Sequence, residues 1–256
     1  MITFADIDKK FIGYDPKPHT RHYAWNQCYS AFSAARAQRP VSQDKIDELS
    51  LRLGFYLASW GMLRGSSFLL NYSYTVWEPV VRKILEPQYD TLNGVDFLDA
   101  RFPKLANVSD YYDLLFGKTS KSSIKGNNIK VDGDEFIIDN YYHVNNVSNG
   151  LVHWLKEYLA KVKKLTKDKE SVSDILITKI LLGTLACVPA YDRFFKNTLK
   201  ELSIKQNFNK NNLEELIFWC RNTPKFKNTQ LNTKVVSGNY LLSFKLLDLM
   251  FWYYSI

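Results

Sequence analysis

Apolar side chains recur at intervals of three and four residues along most of the chain, which is the period of an amphipathic α-helix. The pattern is clearest after Ser42, a residue type that caps helices, where Leu53, Leu57 and Trp60 fall on one face. Glycine and proline number only 11 and 8, so long helices are permitted. In the first half, the pattern predicts helices over 19–38, 44–70 and 72–86, with a further helix after Ser109.

The second half continues in the same way, and it predicts five helices at 147–166, 171–186, 192–203, 211–222 and 238–255. The last one is apolar nearly all round, so we expect it to be buried. The polar segment 117–135 is rich in turn-forming residues and interrupts the pattern. We interpret it as an insertion that leads into a surface loop or a small β-hairpin near 129–138.

The predicted fold is therefore all-α. We expect an N-terminal helical part over 1–146 and a basic C-terminal helical part over 147–256, joined into one compact unit with a cleft between them. The alternation of strands and helices that marks a parallel sheet is absent from the sequence, and so is a glycine-rich phosphate loop. Nucleotide-dependent folds are accordingly not expected.

Several classes of protein do not fit the composition. No run approaches the ~18 apolar residues of a membrane span, and no secretory signal is visible, so we expect a cytoplasmic protein that does not enter a membrane. The three cysteines lack CxxC spacing, and the four histidines form no HExxH pair. We therefore expect reduced cysteines, no metal and no cofactor.

The basic charge lies in the C-terminal part. Residues 1–150 hold 17 basic and 17 acidic side chains, whereas residues 151–256 hold 17 basic and 9 acidic ones, which accounts for the whole net charge of +8. Aromatic residues make up 15% of the chain. A basic region that also carries aromatic rings favours a nucleic-acid partner, although a solubilising lysine face would give the same composition.

One segment, residues 173–196, carries candidate chemistry. A predicted helix runs to about Ala186, a short break contains Pro189, and Asp192 then stands at the N-cap position of the next helix. This segment resembles the part of the helix–hairpin–helix (HhH-GPD) DNA glycosylases that holds their catalytic aspartate. Residues 178–181 resemble the helix that leaves the hairpin, and residues 188–192 resemble the turn that delivers the aspartate.

The resemblance covers about residues 173–200 and implies a two-part helical architecture like that of these glycosylases. It also implies that Asp192 is catalytic and that the partner is double-stranded DNA with a modified base. The glycine-rich hairpin of the family is missing before Thr178, and so are the cysteines that hold an iron–sulfur cluster in some members. Four residues of the segment would contact DNA: Thr178, Lys179, Arg193 and Lys196.

The chemistry of glycosidic cleavage suits a single aspartate. Breaking an N-glycosidic bond builds positive charge on the sugar, and a fixed carboxylate stabilises that charge and orients the attacking water. Lys179 follows Thr178, as the Schiff-base lysine of some relatives follows its threonine, but it lies too few residues before Asp192. We therefore predict a monofunctional hydrolase that acts as a monomer and needs no metal.

The target base must leave the stack and enter a pocket. The candidates for the wall of that pocket are Tyr23, Trp25, Trp60, Arg64 and Tyr191. Small residues at 59–67 would allow a ligand, or another helix, to approach closely. Aromatic residues are more often part of a core, so each of these rings has that alternative.

Other interpretations stay open at this point. Asp192 is also a suitable plain helix cap, in which case the protein is a non-catalytic nucleic-acid-binding helical domain. A helical ribonuclease or a toxin-like defence protein is a further alternative. The sequence does not name the base that a glycosylase would excise. The resemblance extends to a role in defence against invading DNA with modified bases.

Overall fold

The computed structural model describes residues 4–10, 17–18, 20–99, 108–117, 149–165, 171–223, 226 and 242–256. Within these ranges every regular element is a helix, which confirms the all-α fold. The α-helices are α1 (Phe4–Lys10), α2 (Arg21–Ala37), α3 (Gln43–Ser59), α4 (Glu78–Ile84), α5 (Val108–Phe116), α6 (Leu151–Lys164), α7 (Asp174–Thr184), α8 (Arg193–Glu201), α9 (Lys210–Arg221) and α10 (Ser243–Ser255).

Side-chain caps fix where several helices begin. The hydroxyl of Ser42 accepts the backbone N–H of Lys45 at the start of α3, and the amide oxygen of Asn209 accepts that of Asn212 at the start of α9. Each cap satisfies a backbone donor that the helix itself leaves without a partner. The predicted hairpin near 129–138 lies outside the described residues, as does the insertion at 117–135 apart from Gly117.

The predicted helix 44–70 is too long. It ends at Ser59, because Gly61 adopts a left-handed conformation with φ of 77°. The N–H of Gly61 donates to the carbonyl of Ala58 and the N–H of Met62 to that of Leu57, which is the Schellman ending of a helix. Two 3₁₀ turns, Phe68–Asn71 and Tyr74–Trp77, follow.

The predicted helix 72–86 is also partly wrong, since only Glu78–Ile84 is α-helical. Pro79 explains the late start, because proline lacks an N–H and is tolerated in the first turn of an α-helix but not in its interior. The stretch before it adopts the tighter 3₁₀ form.

Helices from both predicted parts share one hydrophobic core. Helix α1 packs on α10, α2 and α3 pack on α7, and α5 packs on α6. As expected, α10 is buried over residues 243–251, whereas residues 252–255 are half-buried. Helix α7 is buried on every side from Leu176 to Thr184. These two helices bring charged side chains into the interior.

Candidate functional site

The side chain of Trp60 lies where several helices meet. It follows the C-terminus of α3, and it is surrounded by side chains from the N-terminus of α2, the middle of α7 and the length of α10. Three cations approach the centre of its rings, two at 5.0 Å and one at 5.1 Å. We call this group, with the two carboxylates that pair with its lysines, the Trp60 cluster: Arg21, His22, Trp60, Lys179, Asp192, Lys245 and Asp248.

Asp192 is the N-cap of α8, as the sequence predicted. Its Oδ1 accepts the backbone N–H groups of Phe194 and Phe195, both at 3.1 Å. Its Oδ2 accepts a hydrogen bond from Nζ of Lys179 at 3.2 Å. The side chain remains 19% exposed. The carboxylate is therefore held from two sides and still reaches solvent.

Lys179 projects from the buried helix α7, and only 5% of its side chain is exposed. A buried ammonium is stable only with a partner, and Asp192 supplies one. The same Nζ lies 5.0 Å from the centre of the Trp60 ring, which adds a cation–π contact.

A second buried pair lies on α10. Nζ of Lys245 is 3.1 Å from Oδ2 of Asp248, and the lysine side chain is 1% exposed. Burial lowers the pKa of Lys245, and the charge of Asp248 opposes that shift. Lys179 and Asp192 also act electrostatically on Lys245, so the two ion pairs are coupled.

The turn that carries Asp192 is fixed by three hydrogen bonds. The N–H of Ala190 donates to Oδ1 of Asp248 at 3.1 Å, and the N–H of Tyr191 donates to the hydroxyl of Thr178 at 2.9 Å. The N–H of Asp192 donates back to the carbonyl of Ala190 at 2.8 Å. The position of Asp192 therefore depends on α7 and α10 as well as on its own helix.

Aromatic rings and cations form the outer side of the cluster. Arg21 lies 4.6 Å from the ring centre of Trp252, and Phe194 lies edge-on to the same tryptophan with ring centres 6.3 Å apart. Burial lowers the pKa of His22 to about 4, with Lys245 and Arg21 acting in the same direction. His22 is thus neutral at pH 7. The cluster then holds three cations and two carboxylates, an excess of one positive charge.

The structure brings three of the predicted site residues together, namely Trp60, Lys179 and Asp192. Trp25 lies beneath them in the core, where its indole N–H donates to the carbonyl of Leu182 at 2.9 Å and Lys245 lies 5.3 Å from its ring centre.

The other predicted site residues lie elsewhere. Tyr191 is fully buried against Phe195 and Phe208, so it belongs to the core. Tyr23 lines an open cleft of about 700 Å³ next to the cluster, and Arg21 lines the same cleft. Arg64 is exposed, and its guanidinium folds over Gly61.

Of the four residues predicted to contact DNA, two are buried and two are accessible. Thr178 and Lys179 are buried, and Thr178 holds the turn at Tyr191 rather than a surface position. Arg193 is exposed, and its guanidinium lies 5.0 Å from the ring centre of Phe194. Lys196 is half-buried on the next turn of α8. Only the last two are placed where a phosphate backbone can reach them.

Sequence reasoning missed the buried pair on α10. Lys245 and Asp248 stand three residues apart in a helix that is otherwise almost entirely apolar. Charged residues in such a helix must find partners, so this spacing was a usable signal. Arg21 and Trp252 were also missed, and no local pattern marks them.

No protein-family model matches the chain, and comparisons with curated proteins and with solved structures also give no match. None of the helices in the described ranges combines the length and the apolar character that a transmembrane span requires. In the same ranges, no three His, Cys, Asp or Glu side chains come together in an arrangement that could hold a metal ion.

Proposed function

We propose that the chain is a DNA glycosylase that hydrolyses the N-glycosidic bond of a modified base after that base has left the duplex. The observation that carries this proposal is that the carboxylate of Asp192 is fixed in place and accessible to solvent. Its carboxylate is fixed by two backbone N–H groups and a buried lysine, and it is still open to solvent. A fixed anion beside a sugar stabilises the positive charge that develops as the glycosidic bond breaks.

The hydrogen bonds around Asp192 leave room for a water molecule. A carboxylate has about four acceptor sites, two on each oxygen. The two N–H groups occupy those of Oδ1, and Lys179 takes one of those on Oδ2. One site remains for the water that attacks the sugar, and the carboxylate then accepts its proton. Nζ of Lys179 is engaged by Asp192 and is nearly buried, which favours hydrolysis over Schiff-base formation.

The surroundings of Asp192 suit an extruded nucleotide. Trp252 and Phe194 are half-buried and offer aromatic surface, and base–aromatic stacking tolerates any base. Arg21 and Arg193 are exposed cations nearby that can contact phosphates.

The biological role that we propose is defence against DNA that carries modified bases. A glycosylase without a metal or a bound cofactor can act on DNA in the cytoplasm as a monomer. A substrate other than ordinary damaged bases, such as the modified bases of invading DNA, would make the protein a defence enzyme.

The test is a base-release assay. Duplexes that each carry one modified base, including the hypermodified bases of phage DNA, are incubated with the protein and then treated with alkali, which breaks the strand at abasic sites. We expect breaks with the wild type and a loss of at least ~10²-fold with Asp192→Asn. Asp174→Asn is the matched control, because Asp174 also pairs with a lysine, Lys156, at 2.7 Å but at the N-terminus of α7, away from Asp192.

Two outcomes would overturn the proposal. One is a complete absence of breaks across the panel, and the other is equal activity of the wild type and Asp192→Asn. Binding of the same duplexes, measured in parallel at 50 and 200 mM salt, should weaken steeply as phosphate contacts are screened. If binding of that kind occurs without any base release, the protein is a nucleic-acid-binding domain without catalysis.

A further inference from the structure

A second groove lies away from the Trp60 cluster, between helix α6 and the segment that runs from Tyr72 into α4. It has a volume of about 660 Å³, and we call it the α4–α6 groove. The side chains that matter for its chemistry are Tyr72, Arg82, Lys83, Trp154, Tyr158 and Lys161.

Two parallel aromatic rings stack on each other in this groove. Trp154 and Tyr158 stand one turn apart on α6, with ring centres 5.5 Å apart and planes only 8° from parallel. The hydroxyl of Tyr158 donates to the carbonyl of Val76 at 2.7 Å, which holds that ring in place. On the other side, the hydroxyl of Tyr72 donates to the carbonyl of Val162 at 2.6 Å. The rings are half-buried, so their orientation is fixed while part of their surface stays accessible.

The charges that line the groove are mainly positive. Three cations, Arg82, Lys83 and Lys161, stand against one carboxylate, Glu86. Glu86 pairs with Lys83 at 2.8 Å, and the same lysine lies 5.7 Å from the ring centre of Trp154. The Nη2 of Arg82 donates to the neutral amide of Gln43 rather than to a carboxylate. The groove therefore favours an anion.

We propose that the α4–α6 groove binds a nucleotide of an unpaired DNA strand, with the base on Trp154 and Tyr158 and the phosphate near Arg82 and Lys161. Accessible aromatic rings beside cations are the combination by which proteins bind single strands irrespective of sequence. An acidic peptide would satisfy the cations but would have no use for the parallel rings. The base must be unpaired, since in a duplex its faces are covered. The choice of DNA among nucleic acids rests on the proposed function.

The test uses the full chain with Asp192→Asn as the parent, so that no base is released during the measurement. Binding of a labelled, unmodified (dT)10 strand is followed by fluorescence anisotropy. We expect Trp154→Ala to raise the Kd roughly tenfold and Trp154→Phe to retain most of the affinity, because phenylalanine keeps a flat ring. Trp154→Leu keeps apolar bulk without a flat ring, so it should bind as weakly as the alanine variant.

A second set of variants tests how much the positive charge of the groove contributes to binding of the strand. Lys161→Glu should weaken binding several-fold and reduce the slope of log Kd against log salt by about one. Lys164→Glu is the matched control, because it makes the same change of charge on the same helix at an exposed position that does not line the groove. Its effect should be less than half that of Lys161→Glu on a logarithmic scale.

Three results would overturn the inference: equal affinity of the parent and Trp154→Leu, equal effects of the two lysine variants, or equally strong competition by a deca-glutamate peptide. The outcome is separable from that of the proposed function. Base release that depends on Asp192 but not on Trp154, without binding of (dT)10, would contradict nucleotide binding in the α4–α6 groove and support the glycosylase activity. Binding of (dT)10 that depends on Trp154, without base release from any duplex, would contradict the glycosylase activity and support nucleotide binding in the groove.

Discussion

Asp248 holds the turn that delivers Asp192, because its Oδ1 accepts the backbone N–H of Ala190 at 3.1 Å. Its other oxygen, Oδ2, accepts Nζ of Lys245 at 3.1 Å within the core. The two carboxylates are 56 positions apart in the sequence and belong to different helices. Asp248, whose side chain is 11% exposed, thus positions the backbone, while Asp192 at the end of that backbone keeps 19% of its side chain exposed.

We expect Asp248→Ala to lower the free energy of unfolding by about 3–5 kcal/mol. The substitution leaves the ammonium of Lys245 buried without a partner and removes the acceptor of the Ala190 N–H. Urea unfolding followed by circular dichroism measures the change. The double variant Lys245→Met with Asp248→Leu removes both charges and should recover at least half of the loss. A loss below ~1 kcal/mol for Asp248→Ala would show that the pair does not hold the core.

Asp192→Asn should lower the free energy of unfolding by about 2 kcal/mol. Asparagine caps a helix about as well as aspartate, so the cost does not come from the cap. It comes from Lys179, whose nearly buried ammonium loses its anion. The measurement is again urea unfolding, and the control is Lys179→Met with Asp192→Asn, which should be more stable than Asp192→Asn alone.

An unchanged stability of Asp192→Asn would contradict the ion pair. The same set of variants also serves the base-release assay, since the double variant separates a loss of the carboxylate from a loss of stability. If catalysis requires Asp192 itself, both the single and the double variant are inactive although their stabilities differ.

The hydrophobic pattern predicted most of the helices because burial repeats with the period of the helix. It failed where the backbone conformation of one residue decides where a helix ends. The positive φ of Gly61 ends α3 about ten residues before the predicted end. Glycine also occurs inside helices, so its presence alone does not mark an ending.

The position of Asp192 was predictable because its cap depends on neighbouring residues and on the break at Pro189. Its ion pair with Lys179 was not predicted, since a lysine in a helix is usually solvated. The hydrogen bond from Ala190 to Asp248 depends on the packing of α10 against the turn, and no local spacing encodes it. Tyr191 was proposed for the pocket, but it packs in the core because the backbone turns it inward beside Phe195.

We expect Gly183→Ala to lower the free energy of unfolding by about 1–3 kcal/mol, although alanine favours a helix by ~1 kcal/mol over glycine. A Cβ at this position would overlap Cε1 of the buried Tyr56 and lie 2.7 Å from its Cδ1. The contact joins α7 to α3. In a Tyr56→Leu background, which removes the ring, the same substitution should become neutral or stabilising. Additive effects in this double-mutant cycle, followed by urea unfolding, would contradict the contact.

His22 should make the protein less stable in acid. Its pKa is lowered to about 4 in the folded state, first by burial and then by Lys245 and Arg21, against 6.5 for a free histidine. Between pH 6.5 and pH 4 the unfolded chain therefore binds a proton that the folded chain does not, and stability falls as the pH falls through this range. The ring is half-buried, so solvent screening reduces the effect to about 1 kcal/mol between pH 7 and pH 5.

Urea unfolding at both pH values should show this additional loss in the wild type but not in His22→Gln. His153→Gln, a change of an exposed histidine on α6, should behave as the wild type. The same pH dependence in His22→Gln as in the wild type would assign the loss of stability to other groups.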